Sequence, residues 1–114
     1  MKETSRYSED MQRIADDILT SSGESSSMLR QAIQGRAFAI SSHADSEKED
    51  IPPELIPYID KIALHAYKVT DEDIATLQEQ GYSEDTLFEI TLSAALGTGL
   101  ARLHYGLAAL EESE

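Results

Sequence analysis

The 114-residue chain contains no cysteine. That absence excludes disulfides, thiolate metal sites and any cysteine nucleophile. Basic residues are scarce as well: 9 Lys and Arg stand against 22 Asp and Glu, for a formal net charge of −13. So few cations leave no patch able to neutralise phosphates, which argues against nucleic acid as a partner, and the same deficit argues against docking on anionic lipid or membrane. Proline and glycine number only 3 and 6, too few for an extended or all-β protein. The longest nearly apolar run, from Leu92 to Ala101, is half the length of a membrane span, and the N-terminus is charged and polar without a signal-peptide core. The expectation is a cytoplasmic protein of one domain, residues 1–114, built on a single core.

What the chain does have is helical periodicity. Residues 69–110 read as two helices joined at Gly81. Thr70 is an N-cap followed by Asp71, Glu72 and Asp73, which place negative charge on the positive end of the helix dipole, and Val69 and Ile74 occupy staple positions. Ser83 repeats the arrangement with Glu84 and Asp85, Tyr82 and Leu87 forming the staple, and Gly81 supplies the left-handed residue that ends the first helix. The second helix then runs from about Glu84 toward Leu110. Phe88, Leu92, Ala95, Leu96, Leu103, Leu107 and Leu110 make one broad stripe, expected to be buried, and Leu87, Ile90, Ala94, Ala101 and Ala108 widen it. Gly97, Gly99 and Gly106 each weaken a helix by about 1 kcal/mol relative to alanine. Close approach of a neighbouring helix, or a kink near Gly97-Thr98-Gly99, would account for them. Gly97 and Gly99 do not form a phosphate loop, since no strand precedes them and no Lys-Ser/Thr pair follows.

Upstream, residues 1–7 read as a loose leader. Met11, Ile14, Ala15, Ile18 and Leu19 mark an amphipathic helix ended by Ser21-Ser22-Gly23, and serines 25–27 cap a second one carrying Met28, Leu29, Ala32, Ile33, Ala37, Phe38 and Ile40. Residues 41–50 are a polar loop. Leu55, Ile56, Ile59, Ile62, Ala63, Ala66 and Tyr67 form the apolar face of another helix, with Pro57 near its start. Residues 111–114 read as an acidic, frayed tail. The fold class is all-α, a small bundle of about five helices with a long C-terminal one and no credible strand.

The order of features over residues 51–110 resembles the C-terminal half of the alkyl hydroperoxidase D-like family, also called the carboxymuconolactone decarboxylase superfamily. The resemblance rests on IPPEL…YIDKIALHAYKVTDEDI, on the helix ending in Gly81, and on GYSEDTLFEITLSAALGTGLARL with Arg102 near its end. It implies an all-helical protein that assembles as a homo-oligomer. Peroxidatic members carry a Cys-x-x-Cys with a nearby histidine upstream of the matching region, because one thiolate attacks and a second thiol resolves the sulfenic acid. Here that setting holds only Ser41, Ser42 and His43, so thiol peroxidase activity is expected to be absent, and no cofactor is expected.

Candidate site residues carry two readings each. His65, near a helix end with Tyr67 as companion, is either a general base or polar anchor in a pocket, or a histidine satisfied by backbone or a neighbouring carboxylate. Glu89 sits between Phe88 and Ile90. Either it belongs to an outward stripe with Asp85 and Ser93, or it is buried and forms an acid–base pair with His65. No Glu-x-x-His or His-x-x-x-His spacing supports a metal site. Gly97, Gly99, Ala101, Arg102 and His104 are packing or subunit-interface candidates, Arg102 pairing with an acid across a boundary or meeting an anionic ligand. His43 reads as solvated. The expected function is a non-peroxidatic homo-oligomer that binds a small molecule or serves as an accessory component. The alternatives are a cysteine-independent acid–base enzyme of the lactone decarboxylase type, using His65, Tyr67 and Glu89, and a protein-interaction adaptor marked by an exposed apolar patch.

Overall fold

A computed structural model describes residues 2–42 and 51–112. Among them lie five α-helices and no strand: α1 (Lys2–Thr20), α2 (Ser27–Ser41), α3 (Ile56–His65), α4 (Asp71–Glu79) and α5 (Glu84–Glu112), with 3-10 turns at Pro53–Leu55 and Ala66–Lys68. The readings of His43 and of residues 43–50, like those of Met1, Ser113 and Glu114, fall outside the described residues. Several boundaries move: Ser41 closes α2 instead of opening the polar loop, and the helix expected to carry Ala66 and Tyr67 ends at His65, leaving both exposed in a 3-10 turn. Residues 2–7 are the first turns of α1 rather than a leader, and Glu111 and Glu112 continue α5 rather than fray from it.

The helix starts follow their caps. At α2 the Ser26 hydroxyl accepts from the Leu29 amide. At α4 Thr70 and Asp73 close a reciprocal box, the Asp73 amide donating to Thr70 Oγ1 and the Thr70 amide to Asp73 Oδ2. At α5 the Thr86 amide donates to Ser83 Oγ at 3.1 Å. Helix α4 ends in a Schellman turn: Gly81 has φ +106°, its amide donates to the Gln78 carbonyl, and that of Tyr82 to the Leu77 carbonyl. Pro57 stands in the first turn of α3, where a missing amide proton leaves no intrahelical bond unmade.

Helix α5, 29 residues and about 43 Å long, is the spine against which α1, α2 and α3 pack. Ile33 of α2, Leu55, Ile59 of α3, and Ile90 and Ala94 of α5 meet in a core from which water is excluded. Each of these isoleucines contributes about 2 kcal/mol by its burial. Polar links fix the register. Tyr58 Oη lies 2.6 Å from Thr91 Oγ1 between α3 and α5, Arg36 grips Asp60 through Nε and Nη2 between α2 and α3, and Lys61 pairs with Asp73 between α3 and α4. Tyr58 meets Thr91 while the end of α3 lies beside Ala95 to Arg102, so α3 and α5 run in the same sense, joined through α4.

Of the two stripes of α5 expected to be covered, the single chain fully buries residues of only the second. Leu87, Ile90, Ala94, Gly97 and Ala101 are buried, whereas Phe88 is 66% exposed and Ala95 and Leu110 also face outward. Small residues allow the backbones of α2 and α5 to approach, and the larger side chains are left on the far side. A Cβ built on Gly97 would stand 2.3 Å from the Gln34 carbonyl oxygen and 2.8 Å from Ala37 Cβ. The helical assignment continues through Gly97, Thr98, Gly99 and Gly106, and the close crossing with α2 accounts for Gly97. Among the described residues no helix is long and apolar enough to cross a membrane.

Candidate functional site

The last turn of α3 and the turn Ala66–Lys68 lie beside the outer side of α5 and leave a cleft of about 540 Å³. Leu64, Ala66 and Tyr67 form one wall, and Ala95, Thr98, Gly99 and Arg102 form the other. Helix geometry builds the second wall, because Ala95, Gly99 and Arg102 recur at i, i+4 and i+7 and therefore share a face. The absence of side-chain bulk at Ala95 and Gly99 makes the cleft; a Cβ on Gly99 would meet nothing within 4 Å. Tyr67 is 81% exposed. His65 stands against it edge to face, ring centroids 6.0 Å apart, and Lys68 Nζ lies 5.9 Å from the Tyr67 centroid. Arg102 is exposed, and the cleft is otherwise mostly apolar.

The structure thus brings together His65 and Tyr67, and Tyr67 with Gly99 and Arg102. Glu89 is held elsewhere. It lies ten residues before Gly99, about 15 Å along the helix axis, and its carboxylate is enclosed by the turn between α1 and α2. The Glu24 amide donates to one oxygen at 2.9 Å, and the Ser25 amide and hydroxyl donate to the other. A Cβ on Gly23 would come within 2.8 Å of the same carboxylate, so glycine there leaves room for it. The Ser25 hydroxyl, backed by both amides and the charge of Arg30, holds the Glu89 carboxyl below its ordinary value despite partial burial. A carboxylate so stabilised is a poor proton acceptor at neutral pH. Neither earlier placement of Glu89 fits: it does not share an outward stripe with Ser93, which is fully buried and donates to the Glu89 carbonyl oxygen, and it shares no site with His65.

Arg30 completes this tether and is the residue that the periodicity of α2 concealed. Only 4% exposed, it donates from Nη1 to the Ile18 carbonyl at 2.6 Å and from Nη2 to the Ser21 carbonyl. Ser27 Oγ donates to Leu19 O, so carbonyls at the end of α1 are satisfied by side chains of α2. The sequence signal was a charged residue one position after Leu29, in the middle of an apolar face.

A second groove, about 500 Å³, lies where α1, α2 and the C-terminal part of α5 meet, with His104 beside Phe38 and Leu103, Leu107, Glu9 and Glu111 around it. The His104 ring is 6.2 Å from Phe38 and 5.2 Å from Tyr105. Ala101 is buried in the packing of α5. No group of three or more His, Asp or Glu side chains suited to a metal ion occurs among the described residues.

No family model, curated protein or solved structure matches the chain.

Proposed function

We propose that the chain is a cysteine-free, homo-oligomeric protein of the alkyl hydroperoxidase D-like type whose work is to bind a small, largely apolar molecule between α3 and α5. The observation that carries this reading is the cleft itself, whose volume lies in the range of small-molecule sites and whose apolar walls are interrupted by the Tyr67 hydroxyl and Arg102. An apolar ligand would displace water from Leu64, Ala95 and Gly99, while Tyr67 orients its polar end. Because the thiols of a peroxidatic site are absent, binding does not lead to peroxide reduction by the cysteine route.

Native mass spectrometry on protein purified without denaturation tests this reading. A defined oligomer carrying an additional non-covalent mass is expected, and Ala66→Phe, which places a ring in the cleft, should remove the extra mass and keep the helical circular dichroism. A bare oligomer would reject ligand binding, and a bare monomer at micromolar concentration would reject assembly.

A further inference from the structure

The outward side of α5 carries a row of residues that fits a second copy of itself. Asp85, Phe88, Leu92, Ala95, Gly99 and Arg102 follow one another at intervals of three, four, three, four and three, the spacing of a helix–helix seam. None of the six is buried, and all but Leu92 are exposed. The spacing reads the same from either end. Taken from the outside inward, the row pairs an acid with a base, the largest side chain with the smallest, and leucine with alanine. The midpoint of each pair falls between Ser93 and Ala94.

We propose that two copies of the chain associate through antiparallel α5 helices about a two-fold axis passing between Ser93 and Ala94. Asp85 then meets the partner's Arg102, Phe88 covers the partner's Gly99, and Leu92 rests on the partner's Ala95, each contact occurring twice as an isologous interface requires. Phe88, 66% exposed in the single chain, finds in Gly99 a position with open space where a side chain would be. Parallel association would instead stack like on like: acid on acid, ring on ring, arginine on arginine. The committed occupant is a second copy because charge complementarity is internal to the row. On a chain of net charge −13, an opposed Asp85 and Arg102 give self-association an attractive term against overall repulsion. The intervals alternate between three and four, the heptad pattern, so the paired helices would wind about each other in a left-handed sense.

This inference rests on the homo-oligomeric part of the proposed function and adds to its site. Ala95, Gly99 and Arg102 belong both to the row and to the α3–α5 cleft. Phe88 and Leu92 of the partner subunit would therefore roof the cleft on its open side.

Charge reversal tests the pairing. Asp85→Arg alone or Arg102→Asp alone turns both symmetric pairs into repulsions, and the dimer dissociation constant measured by sedimentation equilibrium should rise about tenfold or more. The double variant Asp85→Arg/Arg102→Asp should restore association. Register is read separately, since the cysteine-free chain permits a clean cross-link: Leu92→Cys protein mixed with Ala95→Cys protein should form a mixed disulfide under mild oxidation, in preference to either homodimer. An oligomer whose stability ignores the charge reversals, or which fails to form the mixed disulfide, would overturn this interface while leaving homo-oligomerisation in place. A monomer throughout would overturn both.

Discussion

Gly97 and Gly99 stand two residues apart on one helix and meet opposite surroundings. Gly97 lies against the backbone of α2, where a Cβ would collide with Gln34 O, Ala37 Cβ and Phe38 N, whereas Gly99 opens on a cleft with nothing near it. The same contrast divides α5 as a whole. Its packed side begins with Leu87 and Ile90 and continues through Ser93, Ala94, Gly97, Thr98 and Ala101, small for a core, and its outer side carries Phe88 and Leu92. Side-chain volume, not hydropathy alone, decides which apolar face a close helix crossing selects. The bulkier face remains for cleft and contact.

The comparison can be broken or sharpened by substitution. Gly97→Ala is the largest expected effect: backbone atoms of α2 cannot move aside as a side-chain tip can, and the overpacking should destabilise the fold by about 3 kcal/mol in urea unfolding. An unchanged midpoint would mean that the two glycines are equivalent. Glu89→Ala removes the acceptor of three hydrogen bonds from the α1–α2 turn and should cost about 2 kcal/mol.

Acid should weaken the same tether. The Glu89 carboxyl is held below its ordinary value of 4.5 in the folded chain, so its contribution is complete above that value and is lost as pH falls through the folded pKa. Glu89→Gln should therefore unfold more easily at neutral pH and show a shallower loss of stability in acid. The Asp73 carboxyl, lowered by Lys61 and the Thr70 amide, titrates in the same direction and leaves a residual slope. Smallest, and opposite in sign, is Gly99→Ala. In dilute protein, where no copy covers the row, it should stabilise the chain by a little under about 1 kcal/mol through helix propensity, read as a rise in Tm. A loss comparable to that of Gly97→Ala would show that both faces are packed.

Much of the fold was legible because helix ends are local chemistry. Thr70, Ser83 and Gly81 act within four residues of themselves, and their caps stand where the sequence indicates. The orientation of α5 was not legible in the same way, since both of its sides are apolar and periodicity cannot rank two apolar stripes. Arg30 escaped notice because its acceptors, the carbonyls of Ile18 and Ser21, belong to another helix end and leave no trace in residue type. At the site, His65 and Tyr67 were near in sequence and are near in space. Glu89 stands out in the sequence as a carboxylate between Phe88 and Ile90 in an apolar helix, but neither an outward stripe nor a pair with His65 describes it. Its partners lie 64 and 65 residues away, beyond the reach of any pattern.

That separation also has a kinetic meaning. A contact spanning more than half the chain closes only after α5 has docked, since the loop between its ends must first lose its freedom. The amides of Glu24 and Ser25 gain their acceptor from Glu89 and from no nearer group among those described. Their exchange with deuterium is thus a clock on the long helix: protection at these two positions would appear with the seating of α5 and vanish whenever its first turns swing away, even while α1 and α2 persist as helices.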